Sequence, residues 1–314
     1  MSEQGLELER EQVLLLANPT AGRGRGDEAL EAVERILRAG GVDPAVHRTR
    51  GPGDARERAA QAERDGVGVV VSVGGDGTLH EALNGLCDAA PAMRPRAALG
   101  LIPVGTGNDY ARVLGIPGRD PRAAARLLLE GHTRRVDLGR LEGAGEGVET
   151  FCNNVGAAFL ATANAAHEVH RYLPGRLSYS LGGFIEFLRY QAFPLVIRVD
   201  GRTLACEATG IQVSIGRFCG GGIELAPDAH LDDGRLQVFV LRRQNKVRTV
   251  LEWPRVARGE KVGDISILSG REVELERPDG RELLLHADGE VLRARGRARV
   301  GIDPGALRVV CARS

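Results

Sequence analysis

Three glycine-rich stretches stand where strand-like runs give way to helical patterns: NPTAGRGRG (18–26), GGDGT (74–78) and PVGTGND (103–109). Glycine tolerates positive φ and has no Cβ to hold a ligand away from the backbone. Consecutive amides in such turns form a concave, partly positive nest for phosphate oxygens. Taken singly, each stretch reads equally well as a tight turn. Three on one edge of a sheet favour phosphate binding. The lone carboxylate in the second loop, Asp76, cannot help bind a bare phosphate and makes sense if it faces a metal or its water shell. Thr78 and Glu81 have the T-x-x-E spacing of a capping box, and Asn108 is placed as an N-cap with Asp109 in the first turn behind it.

Several phosphate chemistries are excluded. A P-loop requires G-x-x-x-x-G-K-[S/T] and a protein kinase a strand lysine beside the phosphates. The only lysines here, Lys246 and Lys261, follow no glycine loop. Neutralisation then falls to Mg²⁺, backbone amides and arginines such as Arg23 or Arg25. Phosphoryl transfer to an alcohol also needs a base within hydrogen-bond reach, and a buried carboxylate can serve. On the residues alone, Asp288-Gly289 in LHADGE (285–290) reads sooner as a turn: the chain holds six Asp-Gly pairs, and Asp-Gly is the standard hairpin turn. The pairs at 200 and 279 are assigned to turns outright. His167 and His170, at i,i+3 in HEVHR, lack a third ligand and read as solvated or capping. His80 and His286 sit inside motifs without reading as catalytic, and Ser72 lacks a nucleophile elbow.

The elements that must carry these loops alternate over residues 13–140. VLLLANP, AVHRT, VGVVVSV and ALGLIP read as strands; DEALEAVERILRAGG, GDARERAAQAERDG, TLHEALNGLC and PRAAARLLLEG read as helices. A further helix is expected from about Asn108. Such βα repeats predict an open parallel sheet with helices on both faces. Beyond residue 140, PLVIRVDG, GIQVSIGRF, RLQVFVLRR, EVELERPDG, ELLLHADG and LRVVCAR are short strands between turns, predicting a β-rich, mostly antiparallel region. The boundaries that follow are 1–137 for a nucleotide-binding α/β domain and 138–314 for a β-rich lipid-substrate domain, whose last strand packs back on the first.

With 314 residues, two domains are the natural expectation. Forty-two basic residues balance forty-two acidic ones, which argues against nucleic acid as partner. Five scattered cysteines, none spaced CxxC, argue against a disulfide framework and a zinc site and for a reducing compartment. The polar start is unlike a secretory signal, and no apolar run approaches the roughly 18 residues needed for a membrane span. A cytoplasmic protein with peripheral membrane association is expected. A homodimer is compatible with the sequence.

NPTAGRGRG, GGDGTLHEALNGL and PVGTGNDYAR, in that order, resemble the diacylglycerol kinase catalytic domain of the bacterial soluble lipid kinases, relatives of sphingosine and ceramide kinases. APDAHLDDGRLQV (226–238) and LHADGE extend the resemblance over nearly the whole chain. The resemblance implies an N-terminal domain like those of NAD kinases and phosphofructokinases, a C-terminal antiparallel sandwich, and ATP with Mg²⁺ as cofactors. It implies a nucleotide between the domains, contacting Asn18, Pro19, Thr20, Ala21 and Gly22, then Gly74, Gly75, Asp76, Gly77 and Thr78. Thr49, Thr106 and Asn108 would join them. Asp76, Asp109 and Asp137 match the acidic residues that organise magnesium and its waters. Asp233 resembles a structural magnesium ligand, with the carbonyls of His230 and Arg235 beside it. Glu290 resembles the catalytic base, with Asp288 close by.

The implied reaction is phosphorylation of a lipid hydroxyl at the membrane surface, most simply that of diacylglycerol, with a sphingoid base or another lipid as alternative acceptor. An NAD kinase is the competing reading, but such enzymes usually carry an Asn-Glu pair and none occurs here. A regulator without catalysis would have little reason to keep Asp76, Asp233, Asp288 and Glu290. Tyr179, Phe184, Phe187, Leu188 and Tyr190 fall on an expected helix, as core or as an acyl-chain pocket. RRQNKVR (242–248) reads as a solvated face or as a contact for anionic headgroups.

Overall fold

The computed structural model describes residues 4–8, 12–118, 120–145, 147–162, 187, 190–260, 262 and 264–313. His167, His170, Tyr179, Phe184 and Leu188 lie outside the described residues. The chain divides into two compact units. One comprises 1–138, 220–222 and 304–314, the other 139–219 and 223–303.

In the first unit, β1 (Val13–Ala17), β2 (Ala45–Arg48), β3 (Val69–Gly74) and β4 (Ala98–Pro103) alternate with α1 (Gly26–Ala39), α2 (Asp54–Asp65), α3 (Asp76–Ala89), α4 (Asp109–Val113) and α5 (Pro121–Glu130). The strands pair in parallel in the order β4-β3-β1-β2. β1, β3 and β4 are buried along their whole length, as expected of apolar runs in a sheet covered on both faces. Right-handed crossovers explain the layering. The chain moves one way from β1 to β2 and the other way from β2 through β3 to β4. α1 is therefore on the face opposite α2 and α3. The order reverses between β1 and β3, so a crevice opens at the carboxyl ends of those two strands.

Helix ends follow local chemistry, with two departures from expectation. Asp120 caps α5, accepting from the Arg122 and Ala123 amides, and Gly131 closes it at φ 68°. Thr78 and Glu81 do not form a capping box, because α3 starts at Asp76 with Gly75 as its N-cap. Glu81 instead accepts the Gly53 and Ala55 amides, capping the start of α2. Asn108 stands at the N-cap of α4, but at φ 50° its side chain caps nothing there and donates to the Gly105 and Gly118 carbonyls.

The second unit is antiparallel throughout its described pairs. Its strands are β5 (His132–Ala144, from Gly139 onward), β6 (Val148–Phe151), β7 (Asn154–Ala158), β8 (Phe193–Val199), β9 (Arg202–Ser214), β10 (Leu236–Arg242), β11 (Ile265–Gly270), β12 (Glu272–Glu276), β13 (Leu283–Ala287) and β14 (Glu290–Val310, up to Asp303). Two long strands each serve two layers. β9 pairs first with β8, then, past an irregularity between Ala208 and Gly210, with β7 and β10. β14 pairs with β13 and then, beyond Gly296 at φ 72°, with β12. β7 also pairs with β13, and β8 with β12, so the pairing closes on itself as a sandwich with few open edges.

β14 is longer than the sequence suggests. RARGRARV alternates exposed arginines with buried Ala294, Gly296, Ala298 and Val300, and such small inward residues leave a faint hydrophobic signal. A helix unforeseen in the sequence, α6 (Lys246–Val256), begins where Asn245 accepts the Val247 and Arg248 amides. Phe187 belongs to a core with Phe239, Leu241, Val256 and Val262, and Phe159 meets it edge-on at 5.2 Å. Tyr190 is not helical; it lies 5.9 Å from Phe159, and burial pushes its phenol well above the usual range.

Candidate active site

The loops after β1 and β3 meet at the switch point of the first unit. The Asn18 amide donates to the Val73 carbonyl at 3.0 Å, and Asn18 Nδ2 reaches Thr78 Oγ1 at 3.4 Å. Asn18 Oδ1 in turn accepts from the Thr20 amide and hydroxyl, fixing Pro19 and Thr20 in a side-chain-supported turn. Ala21 and Gly22 follow within the same turn. Gly22 and Arg23 have φ of 59° and 65°, a backbone state that favours glycine at the first of them. Thr49, just past β2, donates its amide to the Ala17 carbonyl at 2.8 Å, which brings it to the same strand ends.

At GGDGT and PVGTGND the glycines serve a different need. Gly74, Gly75, Gly77, Gly105 and Gly107 all avoid positive φ; the positive value falls on Asn108. What Gly74, Gly105 and Gly107 supply is closeness. A Cβ on Gly105 would stand 2.7 Å from Gly75 Cα, so the two loops touch backbone to backbone. Thr106 is exposed at the tip between Gly105 and Gly107. Of the two properties that glycine offers, positive φ is used in NPTAGRGRG and the missing Cβ in these two loops.

Asp76 is half-buried, and its Oδ2 accepts the Asn108 amide at 2.9 Å. Asp109 follows on α4. Its carboxylate accepts the Gly221 amide at 2.8 Å and pairs with Arg112 at 2.6 Å. Burial nevertheless pushes the Asp109 carboxyl above its usual range, with the Gly221 amide and Arg112 opposing. A Cβ on Gly107 would be 2.8 Å from Asp76 Oδ2 and 4.0 Å from Asp109 Oδ2, so the two carboxylates flank one glycine. Asp137 is buried and accepts the Gly305 amide at 2.8 Å, joining β5 to the last strand. Among the described residues no three His, Cys, Asp or Glu side chains converge as a metal site.

In the second unit, β13 and β14 are joined by the two-residue turn Asp288–Gly289, with φ of 49° and 100°, and Ala287 pairs with Glu290 across it. The turn reading of this Asp-Gly is therefore right in geometry, yet the aspartate does more. Its Oδ1 accepts the Asn153 and Asn154 amides at 3.0 and 2.8 Å, and its Oδ2 accepts the Cys152 amide at 2.8 Å. Glu290 is half-buried at the start of β14. His286 is fully buried; burial pushes its pKa down to about 4, so the ring is neutral. It fills the space over Gly156, where a Cβ would lie 2.1 Å from Nε2.

Elsewhere in this unit, Asp233 is exposed and accepts the Arg235 amide at 2.9 Å around Gly234, whose φ is 68°. His230 is exposed three residues upstream, and the Arg235 side chain turns to Ser269 Oγ at 2.9 Å.

Sequence reasoning passed over Cys152-Asn153-Asn154, Gly156 and Arg112. The polar pair Asn153-Asn154, breaking an apolar run after Phe151, was the visible signal for the first. Nothing local announces the others.

With this geometry in view, the diacylglycerol kinase catalytic domain matches residues 12–141 and the YegS C-terminal NAD kinase beta sandwich-like domain matches residues 153–311. A diacylglycerol kinase of Bacillus subtilis is 31% identical over 278 residues, covering 88% of each chain. The chain belongs to the diacylglycerol kinase family. Within that family, a Pseudomonas aeruginosa protein named "Probable lipid kinase YegS-like" is 33% identical over 96% of this chain and 95% of its own. The crystal structure of a diacylglycerol kinase from Bacillus anthracis aligns with a TM-score of 0.74 at 25% identity, over 96% of this chain and 97% of that one. Membership makes this chain an enzyme of the lipid-kinase class, built from an α/β unit and a β-sandwich-like unit.

Proposed function

We propose that this enzyme transfers the γ-phosphate of ATP, with Mg²⁺, to the free hydroxyl of diacylglycerol, yielding phosphatidic acid. The observation that carries the reading is the lysine-free edge where Asn18, Gly75 and Gly105 bring three loops together with Asp76 among them. A Cβ at Gly105 would strike Gly75 Cα at 2.7 Å, so the two loops pack backbone to backbone, and main-chain amides are what this edge can offer a ligand. Two hard carboxylates, Asp76 and Asp109, flank Gly107, which is the donor chemistry a magnesium ion prefers. Burial of Asp109 disfavours its charge until a cation arrives. The residues therefore fit the ion, which when bound offsets charge on the transferring phosphoryl group.

The chain's own residues do the remaining work. Asn18, Pro19, Thr20, Ala21, Gly22, Gly74, Gly75, Gly77, Thr78, Thr106 and Asn108 shape the phosphate loops, and Thr49 contacts the nucleotide from the end of β2. Asp137 holds the last strand and orders water around the cation. Asp233, with the carbonyls of His230 and Arg235, forms a separate structural cation site. Glu290 takes the proton of the acceptor hydroxyl. Asp288 is a poorer base, because both of its oxygens already accept backbone N–H groups; it positions the strand of Asn153 and the turn that presents Glu290.

The test is direct. Purified protein is incubated with labelled ATP and Mg²⁺ against parallel mixed micelles of diacylglycerol, sphingosine and phosphatidylglycerol, and against NAD. Label in phosphatidic acid, lost when Mg²⁺ is chelated, is the expected result. Label only in NAD, or in none of the acceptors, overturns the proposal.

A further inference from the structure

Val247 and Leu251 are the two large apolar side chains that the described surface leaves exposed, at 67% and 75%. They stand at i and i+4 on α6, hence on one outward face. The opposite face is already satisfied: Thr249 and Val256 are buried, and Val250 and Trp253 pack against the core around Phe239 and Leu241. A surface helix needs one apolar face. α6 has two.

The charge around the second face is one-sided. Residues 242–260 hold six basic side chains against two acidic ones, a net charge of +4 in a chain whose total is zero. Arg248 pairs with Glu252 at 2.9 Å, and Arg255 and Arg258 share Glu260. These arginines are all more than half exposed, and such surface pairs add little stability. Exchanging a glutamate partner for a lipid phosphate is therefore cheap.

We infer that the outward face of α6 docks on an anionic lipid bilayer, Val247 and Leu251 entering the headgroup boundary while the surrounding arginines meet lipid phosphates. Apolar residues ringed by net positive charge on a short surface helix suit shallow, reversible, interfacial binding. This inference rests on the reading of the substrate as a membrane lipid, and it names the surface by which the enzyme reaches it.

The full chain and its Val247→Glu/Leu251→Glu variant are sedimented with vesicles of phosphatidylcholine alone and of equimolar phosphatidylcholine and phosphatidylglycerol. The parent protein should prefer the anionic vesicles, and the variant should bind them roughly tenfold more weakly or worse. Val247→Ser/Leu251→Ser should show a smaller loss with an unchanged melting transition, which separates docking from folding. Phosphorylation of long-chain diacylglycerol in vesicles should fall in step, while that of water-dispersed dihexanoylglycerol should not. Equal binding by parent and both variants, or equal parental binding to the two vesicle types, overturns the inference. So does a dimer that the variants convert to monomer without changing vesicle binding, since the face would then join two copies. Vesicle binding lost in the variants from a parent that phosphorylates no diacylglycerol would uphold the docking face and overturn the proposed reaction.

Discussion

Two Asp-Gly hairpins in the sandwich unit share one backbone design and differ in everything attached to it. Asp200–Gly201 joins β8 to β9 with φ of 45° and 82°; Asp288–Gly289 joins β13 to β14 with 49° and 100°. Both aspartates turn their carboxylates onto backbone amides of a neighbouring segment, Asp200 onto Arg271 and Glu272, Asp288 onto Cys152, Asn153 and Asn154. Around Asp200 the neighbours two residues away on either side, Arg198 and Arg202, are solvent-facing or in exposed ion pairs. Around Asp288 they are the buried, neutral His286 and the half-buried Glu290. The amide clamp is thus scaffolding at both turns, and only the second has a half-buried carboxylate, that of the proposed base Glu290, beside it.

Replacing Glu290 should separate the two turns most sharply. Glu290→Gln is expected to lower turnover by roughly 10²–10⁴, with the melting transition unchanged, whereas Arg202→Gln leaves turnover intact. Steady-state kinetics decide it, and near-normal turnover in Glu290→Gln would move the base elsewhere.

Removing the clamp comes next. Asp288→Ala strands three amides beneath the turn and should cost about 3 kcal/mol together with most activity, read by denaturant unfolding and by assay. A stable but inactive Asp288→Ala protein would contradict the scaffolding role and return Asp288 to the chemistry.

His286 adds a pH signature that Arg198 cannot. Its folded pKa of about 4 lies below the ordinary 6.5, so the unfolded chain takes up a proton first as the pH drops. Stability is full above pH about 6.5, declines by about 3 kcal/mol as the pH falls to about 4, and is flat for this group below that. His286→Gln should remove that part of the slope in urea titrations. An unaltered slope would mean that the ring is not the titrating group.

The smallest effect is expected at Asp200. Its carboxyl is held below the usual range by the Glu272 amide first, with burial opposing and the Arg271 amide helping. The stabilisation is present above pH about 4 and lost as the pH falls through the folded pKa. Because the group is exposed, Asp200→Ala should cost roughly 1 kcal/mol or less, measured at neutral pH, and leave activity unchanged. A loss as large as that of Asp288→Ala would erase the contrast between the turns.

Much of this was legible in the sequence. Apolar runs such as VLLLA and VVVSV, spaced by amphipathic helices ending in glycine, specify a parallel sheet, because burial on both faces and a 3.6-residue period leave few alternatives. The lack of a loop lysine and the run GGDGT narrowed the chemistry, since phosphate loops depend on local backbone types. Tertiary placement decided the rest. Glu81 reads as the partner of Thr78 three residues back, yet it caps α2, because the packing of α2 against α3 brings distant amides within reach. Glycine in these loops could serve either positive φ or close approach, and at Gly105 it is contact with Gly75, thirty residues away in the chain, that leaves no room for a Cβ. Asp288 could be read only as turn or base until three amides from residues 152–154 claimed its oxygens. A side chain's neighbours along the chain are limited by covalent geometry. Its partners across the fold are chosen by how the elements pack, and that information is spread over residues too far apart for any local pattern to hold.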